Sequence, residues 1–78
     1  MAAQIRPERY MNSYKVLQLD VDGRVLSETH VEGPSYNGVI RDLNAVVEGT
    51  QRIEVYNDEG EKAGTMGVDY WRRKVRRT

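Results

Sequence analysis

The chain has no cysteine and no phenylalanine, and it has no long apolar run. Without cysteine there is no disulfide staple, no thiolate metal site and no thiol nucleophile, a pattern that suits a cytoplasmic protein. Apolar stretches of two or three residues exclude a transmembrane helix and a signal-peptide core. The single histidine, His30, cannot form a zinc site without cysteine partners, and no cofactor or metal is expected. With Phe absent, the aromatic supply is five Tyr and one Trp.

What is present fits one small folded domain. Seventy-eight residues allow a single core, and a chain of this size buries only about 60–65% of its unfolded surface. The apolar fraction of 38% and charged fraction of 31% are those of a globular domain rather than a disordered segment. Val supplies ten of the aliphatic residues, which leans toward strands.

A net charge of zero conceals two opposed parts. The segment Tyr70–Thr78 holds five of the twelve basic side chains and no acid. The preceding 69 residues hold seven Lys/Arg against twelve Asp/Glu. Charge blocks of this kind act on partners rather than on fold. The expected organisation is a flexible N-terminal arm over residues 1–13, a domain over 14–70 and a basic C-terminal tail over 71–78.

Residues Lys15–Val21 alternate, Asp22-Gly23 supplies turn chemistry, and Val25–Val31 continues in β-rich residues, so a hairpin is expected. A two-residue turn would put Leu19 opposite Leu26. A three-residue loop ending on a left-handed Gly23 would put Leu19 opposite Val25, and is preferred because it gathers Leu17, Leu19, Val25, Thr29 and Val31 on one face. Tyr14, Val16 and Leu26 would then lie on the other face. Register is decisive, since one residue of slip inverts every facing.

Gly33-Pro34 breaks the second strand, and Ser35 is an N-cap candidate. Tyr36, Val39, Ile40, Leu43, Val46 and Val47 then form one stripe of an amphipathic helix, with Gly49 at its end and Gly38 as a flaw in its first turn. A second hairpin follows, turning at Asp58-Glu59-Gly60. It pairs Ile53 with Met66 and Val55 with Gly64, and Val68 and Tyr70 continue the same face. The predicted fold is α+β, in the order β-β-α-β-β: a four-stranded antiparallel sheet of two hairpins with one amphipathic helix packed on one face. No internal repeat is evident.

Short chemical motifs are few. Leu19-Asp20-Val21-Asp22-Gly23-Arg24-Val25 resembles the first motif of haloacid-dehalogenase-type phosphatases, which implies a carboxylate nucleophile and general acid at Asp20 and Asp22 near Mg²⁺. Arg24 stands where that family has Thr, and the 55 residues after Gly23 are too few for its doubly wound sheet, so a hairpin turn is the better reading. As a calcium loop the segment fails, because Gly23 and Val31 fall where position 4 and position 12 would be. Ser27 and His30 point to opposite faces of one strand, so no base-and-nucleophile pair forms there.

A non-enzymatic protein-interaction or regulatory module is therefore expected, with Tyr14, Val16 and Leu26 as a sheet-face interface that could pair two copies in a homodimer. The alternative is a nucleic-acid-binding module, or one for an acidic protein surface, using Tyr70, Trp71, Arg72, Arg73, Lys74, Arg76 and Arg77. Arg forks suit phosphates, and Tyr70 and Trp71 would stack on bases.

Overall fold

The computed structural model describes residues 12–75 and has the predicted α+β architecture. Four strands, β1 (Asn12–Leu19), β2 (Val25–Gly33), β3 (Arg52–Asn57) and β4 (Lys62–Gly67), form one antiparallel sheet in the order β2-β1-β3-β4. Between β2 and β3 lies α1 (Tyr36–Asp42); after β4 come α2 (Val68–Tyr70) and a π-helical turn (Trp71–Val75). The expected N-terminal arm lies almost wholly outside the described residues, as do Arg76 and Arg77.

The two hairpins are built alike. Asp20 Oδ1 accepts from the N–H groups of Asp22 and Arg24 at 2.9 and 2.8 Å, and Gly23 takes φ 86°. Asn57 Oδ1 accepts from the N–H groups of Glu59 and Glu61, both at 2.9 Å, and Gly60 takes φ 84°. Each turn is thus an Asx turn closed by a left-handed glycine. Each returning strand then carries one extra residue, Leu26 in β2 and Ala63 in β4, where the register shifts. A constant offset of 37, the difference between 57 and 20, also relates Gly23 to Gly60 and Val25 to Lys62. Leu17 and Glu54 share that offset and face each other across the β1–β3 seam. A local two-fold axis therefore passes through this pair, with a helix following each hairpin. The sequence conceals this repeat because the turn chemistry recurs while the strand residues do not.

The bulge at Leu26 corrects the facing expected for the first hairpin. Leu19 does lie opposite Val25, as the three-residue loop requires. Beyond the extra residue, Gln18 faces Ser27, Val16 faces Thr29 and Tyr14 faces Val31. A bulge moves the rest of the strand by one position and so exchanges its two faces. Thr29 and Val31 consequently share the face of Tyr14 and Val16, and this is the core face: Tyr14 and Val16 are 8% and 2% exposed, in place of the uncovered face expected for them. Ile53 and Val55 join them from β3, paired with Met66 and Gly64 as anticipated.

Val39 and Ile40 of α1, with Val68 and Trp71, cover this face. Ser35 caps α1 as expected, its Oγ accepting from the Gly38 N–H at 3.2 Å. At Gly64 an added Cβ would overlap the Tyr36 ring lying over β4, so the glycine lets that ring sit against the strand.

Two elements end earlier than predicted. The helix stops at Asp42, and Leu43 is extended at φ −66°, ψ 119°. Asn44, Val46 and Val47 are weak helix formers, and extended chain covers about twice the distance per residue needed to return to β3. Tertiary bonds fix that path: Gln18 Oε1, buried on the core face of β1, accepts from the Val47 N–H at 2.7 Å and the Thr50 hydroxyl at 3.2 Å. Strand β4 stops at Gly67, so Val68 reaches the core from a helical turn, while Tyr70 points outward and is half exposed.

Candidate functional site

The basic C-terminal segment does not form one cationic, aromatic surface. Trp71 is 3% exposed, and its Nε1–H donates to the Ile40 carbonyl at 3.0 Å. Val68, Trp71 and Val75, at spacings of three and four, face the core together. The boundary expected between Tyr70 and Trp71 thus runs through one continuous helical segment. Tyr70, Arg72, Arg73 and Lys74 are exposed on its outer side. Of the expected aromatic pair, only Tyr70 remains accessible for stacking.

The proposed sheet-face set is likewise separated. Tyr14 and Val16 are core residues, and Leu26 at the bulge lies near Gly49 and is partly exposed. Asp20, the candidate nucleophile of the phosphatase resemblance, has its carboxylate engaged by two backbone N–H groups of its own turn.

The face opposite the helix is polar and centred on Glu54, which lies against the local two-fold axis. Its carboxylate accepts from the Tyr56 hydroxyl at 2.8 Å and from Arg52 Nε at 3.1 Å, and Lys62 Nζ lies 3.6 Å away. Burial alone would raise the pKa of this carboxyl, but the Tyr56 hydrogen bond and the Lys62 and Arg52 charges hold it below the ordinary glutamate value. The same hydrogen bond raises the Tyr56 phenol. Lys15 Nζ sits 5.7 Å from the centre of the Tyr56 ring. Every polar group in this cluster has a partner, so it reads as a satisfied network tying β3 to its neighbour β4. A shallow cleft of about 280 Å³ at the end of the same face brings Lys15 and His30 near Asp58, with no single sign of charge.

The feature that sequence reasoning missed is at the sheet edge. Strand β2 is nine residues long and, among the described residues, pairs on one side only. Beside it runs a groove of about 240 Å³ between β2 and the C-terminal end of α1. Val16, Val31, Val39 and Leu43 supply apolar walls, Thr29, Asp42 and Asn44 form the lip, and Glu32, whose side chain belongs to the other face of β2, completes the lining at one end. On the polar side of the same strand, Glu28 and His30 are exposed and lie 3.3 Å apart. The other edge, β4, is shorter, contains Gly64 and Gly67, and passes directly into α2. The residues of the groove were visible in the sequence, but strand order was not, and edge position is what makes them a site.

No protein family, no curated protein and no solved structure matches the chain. Among the described residues no helix is long and apolar enough to cross a membrane, and no group of three or more His, Asp or Glu is placed to hold a metal ion.

Proposed function

We propose that this protein is a non-enzymatic interaction module that binds an extended segment of another protein along the free edge of β2. The observation that carries this reading is a nine-residue strand edge that no described residue pairs with, lying beside an apolar groove. Unpaired backbone N–H and C=O groups along an edge offer main-chain hydrogen bonds, and pockets beside the edge select side chains. The same groups on β1 and β3 are consumed within the sheet. Lack of cysteine agrees with work in the cytoplasm. A homodimer through Tyr14, Val16 and Leu26 has lost its motive, since two of the three are interior.

Amide hydrogen exchange tests this reading. Adding soluble extended peptides should slow exchange in β2 and leave β4 unchanged. Unaltered β2 protection at saturating peptide would contradict it.

The second reading is nucleic-acid binding through Arg72, Arg73 and Lys74. It is favoured by their exposure beside an exposed Tyr70, and weakened by the burial of Trp71, which removes the better stacking surface.

A further inference from the structure

We infer that the strand taken up by β2 alternates apolar and basic side chains. This rests on the strand-addition reading and adds the chemistry of the partner to it.

The argument follows from the two faces of the edge. Side chains of a strand point alternately to opposite sides, and an added strand keeps the pleat of its neighbour. On the helix side of β2 an added strand meets Thr29 and Val31, with Leu43 beyond them. The groove there is lined mainly by aliphatic carbon and is large enough to admit a branched aliphatic side chain. On the polar side the same strand meets Glu28, His30 and Glu32, all exposed. Two carboxylates flank one imidazole, and Asp42 adds a third acid at the groove lip. Opposite charges directly across a strand pair stabilise, and like charges oppose. The helix side therefore selects an aliphatic residue, and the polar side selects Lys or Arg on either side of it.

The same charges disfavour a second copy. Antiparallel self-pairing of β2 would bring more acid than base to the edge, and charged edge strands are a common guard against self-association. The tail cluster at Arg72–Lys74 lacks the alternation, being helical.

Binding of three fluorescent heptapeptides separates the outcomes. One is Lys-Val-Lys-Val-Lys-Val-Lys; the second has the same composition in blocks, Lys-Lys-Lys-Lys-Val-Val-Val; the third is neutral, Gln-Val-Gln-Val-Gln-Val-Gln. The alternating basic peptide should bind about tenfold more tightly than the block peptide and should weaken as salt rises. Replacing both acids (Glu28→Gln with Glu32→Gln) should cost about three- to tenfold, from two cross-strand pairs. Thr29→Arg, at an exposed wall of the groove, should abolish binding while leaving the thermal melt unchanged. Equal binding of the block peptide would show attraction to charge alone and would overturn the inference. Equal binding of the neutral peptide would remove the basic requirement while leaving strand addition standing. No binding of any peptide, with β2 amides unprotected, would remove both. A dimer at micromolar concentration that Thr29→Arg dissolves would place a second copy at the edge and overturn the inference as well.

Discussion

Trp71 and Ile40 are joined by a 3.0 Å hydrogen bond from the indole Nε1–H to the backbone carbonyl, across 31 positions of sequence. The bond gives a carbonyl near the end of α1, already accepting from the Leu43 N–H, a second and shorter donor, and it places the largest apolar ring of the chain over the sheet. In a domain with no phenylalanine and no disulfide, this contact makes the basic C-terminal segment part of the fold.

Trp71→Ala should destabilise by about 3–5 kcal/mol, the range for a buried aromatic truncated to Ala. Trp71→Phe keeps most of the ring but removes the indole donor, leaving the Ile40 carbonyl only the longer 3.4 Å bond from the Leu43 N–H, and should cost about 1–3 kcal/mol. Urea unfolding of the two variants is the check. Fluorescence gives a second, since the indole should emit as a buried group and shift red on unfolding. Removal of residues 71–78 should abolish cooperative melting.

Gly64→Ala should destabilise by about 1–3 kcal/mol, because the new methyl overlaps the Tyr36 ring. Combining it with Tyr36→Leu should restore part of the loss. Additive effects in the double-mutant cycle would show that Tyr36 does not lie over β4.

Gln18→Leu should cost about 1–3 kcal/mol by leaving the Val47 N–H and Thr50 hydroxyl without their acceptor. Amide exchange at Val47 should rise with it, while the hairpin turns keep their protection.

Acid stability should report on Glu54. Its folded pKa lies below the unfolded one, so the unfolded chain takes up the proton first as pH falls. The stabilisation is therefore present above the ordinary glutamate value of about 4.3 and is lost as pH drops through the lower folded value. Glu54→Gln should flatten the acid limb of a plot of urea midpoint against pH. Tyr56→Phe, which removes the 2.8 Å donor, should move that limb to higher pH.

The sequence carried the fold where chemistry is local. Asp22-Gly23 and Asp58-Glu59-Gly60 announce their turns, Ser35 announces a cap, and the pairing of Ile53 with Met66 follows from turn position, while the carboxylate of Asp20 and the amide of Asn57 that close the turns are not legible in it. It did not carry the extra residue at Leu26, since nothing in Val-Leu-Ser-Glu marks a bulge, and that one residue put Thr29 and Val31 on the face of Tyr14 and Val16 rather than that of Leu17. Nor did it show where α1 stops, because Leu43 and Val46 pack from an extended chain as well as from a helix. Tyr70 and Trp71 read alike as neighbours in a tail, and only the return of the chain over the sheet buries one and exposes the other. The edge position of β2 depends on pairings between residues far apart in sequence, which periodicity does not encode.

Residue-resolved NMR of the labelled protein tests the central claim, that β2 is the docking edge, most directly. The alternating basic peptide and, separately, a single-stranded oligonucleotide would be titrated into the same sample. The account predicts peptide-induced shifts that cluster at Ser27–Glu32 and Asp42–Asn44 and saturate together. Shifts confined to Tyr70–Lys74, produced by the oligonucleotide while β2 stays silent to peptide, would contradict it.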